Sequence, residues 1–246
     1  MKDATYELVP LPETGRRFSG HRTVRLSDTT ASGRLRLDAL ARYLQDVAGA
    51  DVADAGIEGP WVMRRLALEL GRLPRFRDTV ELVTFCSGTG RRWAERRTTL
   101  RVDGRAAAEA VAIWVDVDPV SGSPVPLEDW FFDLYGEAAG GRTVSGRLRL
   151  PAPGPDASAR PWPLRVTDFD VLGHVNNAAH WEPVEDELAR VAPGTRIAGA
   201  ELEHKAPVEP GEELAVRSTA SDHALGVWLT SGDHVRTAVR VVLAET

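Results

Sequence analysis

The chain, 246 residues long, shows the same order of predicted elements twice, and a duplication of that kind narrows the available folds more than any other feature. In the first half Leu37, Leu40, Ala41, Leu44, Val47 and Ala48 recur at three- and four-residue spacing, which predicts a helix near 36–54 with one buried face. Strand-like runs follow near 62–71, 79–87, 92–102 and 107–118, several alternating as half-buried strands do. In the second half a helix is expected to begin at Asn177, followed by runs near 196–204, 212–220, 225–231 and 234–244. A strand before each helix is placed near 17–27 and 161–167. LALELGRLPRFRDTVEL (66–82) lies without gaps over AGAELEHKAPVEPGEEL (198–214), matching Glu69 with Glu201, Leu70 with Leu202, Glu81 with Glu213 and Leu82 with Leu214. The shared element order gives those few identities their weight. The stretch 136–163, rich in Gly, Ala, Pro and Ser, reads as a linker, so the expected organisation is a domain 1–135, a linker 136–163 and a domain 164–246. Each half would bury the apolar side of a helix against an antiparallel sheet, an α+β arrangement.

A hydrophobic content of 43% suffices for a core in each half. No run approaches the roughly 20 apolar residues of a membrane span, and MKDATYELVP has no signal-like apolar stretch. The expected setting is therefore the cytoplasm, with no membrane partner. Cys86 is the single cysteine, which excludes an intramolecular disulfide and a multi-cysteine metal site, and the six histidines do not cluster as ligands. No metal or other cofactor is expected, and Cys86 reads as a small core residue rather than a reactive thiol. The net charge of −6 argues against a nucleic-acid partner. Residues 60–105 nevertheless hold eleven arginines against five acids. Either an acidic partner docks there, or these arginines pair with acids elsewhere in the fold. The motifs G-x-S-x-G, H-E-x-x-H and G-x-G-x-x-G and the phosphate-binding P-loop are absent.

The densest group of polar residues is DFDVLGHVNNAAHW, 168–181. Asn177 suits a helix N-cap, and the amides just past a cap carry partial positive charge that favours a developing oxyanion. Gly173 permits a tight turn. Asp170 and His174 could face one pocket, the carboxylate activating water or attacking a carbonyl and the imidazole relaying a proton. They could equally do no more than tie down a loop.

DFDVLGHVNN resembles the loop-to-helix signature D-x-D-x-x-G-H-V-N-N of hotdog-fold thioesterases. GRLRLDALARYLQDVAGADVADAG with WVMRRLALELGRLPRFRDTVEL in the first half sharpens the resemblance to the acyl-acyl-carrier-protein (acyl-ACP) thioesterases of plants and bacteria, over most of residues 15–245. That resemblance implies a tandem hotdog fold, each half a long helix wrapped by an antiparallel sheet, and hydrolysis of a fatty acyl thioester carried by acyl carrier protein. Acyl carrier proteins are acidic, so the arginine-rich 60–105 region would have a partner. Asp170 and His174 are the implied catalytic residues. Asn176, Asn177 and Gln45 are the polar candidates for binding substrate, and Leu40, Leu44 and Trp61 the expected apolar wall for the acyl chain.

Two positions depart from the family pattern. Leu172 stands where the family has Asn, and a leucine side chain cannot hydrogen-bond to a carboxylate or water. A family glutamate is expected near Pro207, where a small shift would bring in Glu203 or Glu209. Gln45, Asp46 or Glu182 are possible substitutes. Pro183 predicts an irregular or kinked start to the second helix, and His180, beside Trp181, reads as wall. An acyl-CoA or polyketide-type thioesterase, or a non-catalytic acyl-binding protein, are the rival readings.

Overall fold

A computed structural model describes residues 6–57 and 59–244. Ten antiparallel strands form one continuous sheet: β1 (Arg17–Thr23), β2 (Trp61–Leu70), β3 (Thr79–Thr89), β4 (Trp93–Val102), β5 (Arg105–Asp116), β6 (Ser158–Trp162), β7 (Ile197–His204), β8 (Leu214–Ala220), β9 (Ala224–Ser231) and β10 (His234–Leu243). Their order across the sheet is β1-β3-β4-β5-β2-β7-β10-β9-β8-β6. Read outward from the middle, β2-β5-β4-β3-β1 and β7-β10-β9-β8-β6 are the same path, so the duplication seen in the sequence is a duplication of topology and the architecture is a tandem hotdog. The seam is β2 against β7, with Leu66 opposite Leu202 and Leu68 opposite Ala200. Close approach at this seam requires glycine at 199, because a Cβ there would lie 2.8 Å from the Leu68 carbonyl oxygen.

Helix α1 (Leu37–Asp54) forms where the periodicity predicts it. Its apolar stripe is buried in a core shared with the inward sides of the strands and with α3 (Glu182–Val191). Burial of a leucine side chain contributes roughly 1.5–3 kcal/mol, and Leu37, Leu40 and Leu44 are almost wholly buried.

The second helix differs from expectation. Asn177 does not cap it: a 3-10 turn at Ala179–Trp181 precedes an α-helix that begins only at Glu182, with Pro183 in its first turn. Proline is tolerated at a helix start, where the missing N–H would have no partner, and this fixes the late beginning. The second half therefore has a short helix rather than a long one.

The stretch 136–163 is not bare linker. Helix α2 (Asp129–Ala139), absent from the sequence reading, ends inside it, and β6 pairs with β8. Between them the chain crosses the outer face of the sheet. There the buried Glu203 accepts the backbone N–H groups of Arg149 (2.6 Å) and Leu150 (2.9 Å) and pairs with Lys205. The Trp228 indole donates to the Pro151 carbonyl at 2.8 Å.

Ahead of α1 and of the second helix lie two turns that match bond for bond at an offset of 140 residues. Thr30 N–H donates to the Arg34 carbonyl (2.8 Å) as Asp170 N–H does to His174 (3.0 Å). Gly33 donates to Thr30 as Gly173 to Asp170, and Arg36 to Asp28 as Asn176 to Asp168. Gly33 and Gly173 have φ of 81° and 78°, a left-handed conformation that glycine adopts without strain.

Candidate active site

The second of these turns presents Asp170 to a cavity of about 270 Å³ between the two halves. Each Asp170 oxygen accepts one hydrogen bond, Oδ1 from the Leu172 N–H (2.9 Å) and Oδ2 from the Asn176 side-chain amide (3.2 Å). A carboxylate has about four lone-pair positions, so capacity remains for a water or a substrate. The backbone of Leu172 thus serves Asp170 although its side chain cannot, and that side chain, 57% exposed, lies at the cavity rim. Asn176 Oδ1 accepts the Ala178 N–H (3.0 Å), closing an Asx turn just ahead of the 3-10 turn, which has no side-chain cap. Asn177 instead reaches across to α1, its Nδ2 donating to Gln45 Oε1 at 3.2 Å. Among the described residues the Asn177 backbone N–H has no hydrogen-bond partner.

From Gln45 the cavity follows α1 along Ala48, Gly49 and Val52, a stripe at helical spacing. Leu40 and Leu44, expected to line it, lie in the main core; they share the 37-40-44-47 stripe that faces the sheet. Trp61 is on the wall, with Cys86, Ala94 and Trp114 from β3, β4 and β5. Phe131 and Tyr135 of α2 complete it. The sequence reading missed both. Their four-residue spacing, followed by Gly140 with a left-handed φ of 57°, is a helix-and-stop signal that could have found them.

Polar groups at the α2 side of the cavity are already paired. Asp51, 1% exposed, accepts Arg16 (2.7 Å), Arg96 (2.7 Å) and the Tyr135 hydroxyl (3.0 Å), tying α1 to β4 and α2. Buried Glu95 accepts Arg142 (2.5 Å) and Ser87 (2.9 Å). Burial pushes the Cys86 thiol up to about 11, so at neutral pH it is no nucleophile.

The remaining candidates fall elsewhere. The His174 side chain is exposed and stands outside the cavity lining, its Nε2 3.4 Å from Glu209 Oε1. Glu203 is committed to the outer face. Asp46 meets Arg22 at the surface (3.3 Å) and Glu182 pairs with Arg165, so neither substitutes for the missing family groups. His180 is buried in the second half, its Nδ1 2.7 Å from Thr237 Oγ1 and its ring edge-on to His204. Burial pushes its pKa down to about 4, so it is a neutral core residue, and it does not form the cavity wall as the sequence suggested.

The arginine-rich 60–105 stretch is dispersed. Arg96, Arg97 and Arg101 pair with Asp51, Glu109 and Glu81 at 2.7, 3.1 and 3.8 Å. Arg91 and Arg92 are exposed on the β3–β4 hairpin, at the end of the strands where Trp61, Ala94 and Trp114 line the cavity. Arg72, Arg75 and Arg77 lie at the other end.

Family models for the N-terminal and C-terminal domains of acyl-ACP thioesterases match residues 15–135 and 154–239. The chain belongs to the acyl-ACP thioesterase family. Its reaction is hydrolysis of the thioester between a fatty acyl group and acyl carrier protein. An acyl-ACP thioesterase of Bacteroides thetaiotaomicron has the same fold, with a TM-score of 0.78 and 20% identity over 93% of this chain and 98% of that one. The 12:0-ACP thioesterase of Umbellularia californica does so too, at 0.79 and 18% over 98% and 100%. An uncharacterized protein of Mycobacterium tuberculosis is 27% identical over 240 residues, 96% of each chain. No described helix of this acyl-ACP thioesterase is long and apolar enough to cross a membrane.

Proposed function

We propose that Asp170 is the general base of this thioesterase and that the Asn177 N–H holds the thioester carbonyl. The water attacking that carbonyl gives its proton to Asp170. The oxygen of the tetrahedral intermediate takes its negative charge beside the Asn177 amide. As the C–S bond breaks, the thiolate recovers the proton, and the free acid is left in the cavity. His174, exposed near Glu209, stands outside the cavity and takes no part at the carbonyl.

One observation carries this reading: the same cavity is lined by Asn177, whose backbone N–H has no partner among the described residues, and by Asp170, a carboxylate with spare acceptor capacity. The first half supports it. There the Leu37 N–H, 140 residues before Asn177, donates to the Glu185 carboxylate at 2.6 Å, and Arg34, the counterpart of His174, holds the same group. A negatively charged oxygen already occupies the matching place.

The acyl chain lies along Ala48, Gly49 and Val52 between Trp61 and Phe131, and the acidic carrier docks on Arg91 and Arg92, in the cytoplasm. Thiol release from acyl-ACPs of several chain lengths tests the chemistry. Asp170→Asn should lower kcat by roughly 10²–10⁴-fold with the thermal midpoint kept; near-normal turnover would remove Asp170 from the reaction. Arg91→Gln with Arg92→Gln should raise KM for acyl-ACP and weaken its salt dependence while leaving kcat unchanged. Equal rates on acyl-CoA and acyl-ACP in the unaltered enzyme would remove the docking role.

A further inference from the structure

The first-half counterpart of the active-site cavity is also a hollow, of about 650 Å³, at the opposite end of the strands. Its wall repeats the active site at the same offset of 140. Thr30 and Ser32 stand for Asp170 and Leu172, and Glu185, Leu188, Ala189 and Ala192 stand for Gln45, Ala48, Gly49 and Val52. The chemistry does not repeat. Threonine replaces the base, so hydrolysis of the same kind has no proton acceptor there. Four guanidinium groups line it instead, those of Arg34, Arg72, Arg75 and Arg196, against one carboxylate, Glu185.

Arg34 is neutralised by Glu185 through two hydrogen bonds. Arg72, Arg75 and Arg196 are exposed. The Arg75 guanidinium donates to the Ser32 carbonyl, and the side chains of Arg72 and Arg196 have no partner among the described residues. Three cations without a counter-charge thus converge on one hollow in a chain whose net charge is −6. The carbonyl end of α3 contributes about half a negative charge, too little to offset them. Guanidinium forks match phosphoryl oxygens in geometry and charge, and Leu188, Ala189 and Ile197 supply an apolar floor beside them.

We propose that this hollow is a second ligand site, which binds a small organic diphosphate with its phosphoryl groups on Arg72, Arg75 and Arg196 and its non-phosphate part on the α3 floor. The site is separate from the hydrolytic one, and the proposal stands whether or not Asp170 is the base.

Calorimetric titration of the full chain with adenosine 5′-diphosphate, in a chelator to exclude metal, tests it, with adenosine as the uncharged control. Saturable binding of the diphosphate and none of adenosine is expected. Arg72→Gln and Arg196→Gln should each weaken binding about tenfold, as the loss of one charge-assisted hydrogen bond does. Arg91→Gln, at the other end of the sheet, should leave it unchanged. Both positions are exposed, so the variants should keep their thermal midpoint, which a melt checks. Absence of saturable binding up to millimolar diphosphate, or binding equally tight in the Arg72 and Arg196 variants, would overturn the assignment.

Discussion

The turn before α1 and the turn before the second helix share one backbone and do different things with it. In the first, Arg34 clamps Glu185, whose carboxylate also takes the Leu37 N–H at the start of α1. In the second, His174 faces solvent, Gln45 bonds a side-chain amide rather than the backbone, and the Asn177 N–H stays open. The scaffold that can hold an anion is therefore present twice. One copy is filled by the protein itself, where it fastens the two halves together, and the other is the place we propose for substrate. On the proposed reading a duplicated fold becomes a one-site enzyme by plugging one anion place, while the hydrogen-bonded turn ahead of each helix stays the same.

Gln45→Glu would place in the active half the carboxylate that Glu185 places in the other. It should lower kcat by about 10²–10³-fold, the usual loss of one oxyanion donor; unchanged kcat in steady-state assays would mean that the two places do not correspond. A smaller effect concerns the helices. Position 180 is histidine where the first half has Leu40. Burial pushes the pKa of His180 down to about 4 and, with nearby His180 and Arg64, that of His204 well below 6.5. Both rings fold neutral, so the unfolded chain binds more protons below pH 6.5. Stability should be full above that value and fall as the pH drops towards 4, by on the order of 3 kcal/mol for His180. His180→Leu, which copies the first half, should flatten that fall in chemical-denaturation titrations, and an unaltered slope would assign it to other groups. Least of all, Glu185→Gln should cost about 2 kcal/mol, since it weakens a paired charge and a helix-start contact together. Its thermal midpoint should drop more than that of Gln45→Ala. Equal drops would leave no distinction between a plugged and an open site.

The sequence made legible what depends on local periodicity. Helix α1 follows from its leucine spacing and most strands from their alternation, and Asp170, Asn177, Gln45 and Trp61 do meet at one cavity. What could not be read depends on contacts between distant residues. Leu40 and Gln45 lie on one helix, and only the position of the sheet decides that the first stripe is core and the second is cavity. The inward face of β3 changes at a bulge between Cys86 and Gly88, and that of β2 between Met63 and Arg65, so simple alternation does not give the lining. Glycine and alanine beyond residue 136 masked the end of α2, whose aromatic residues sit just upstream. His174 lies 3.4 Å from Glu209, 35 positions away, a proximity that no motif records.

The seam between β2 and β7 has a consequence for how the enzyme behaves in dilute solution. Gln45 and Asp170 come from different halves, and in one chain their meeting is intramolecular, at an effective concentration fixed by the connecting segment rather than by how much enzyme is present. Specific activity should therefore stay constant on dilution, where an active site shared between two separate chains would be lost as they part company.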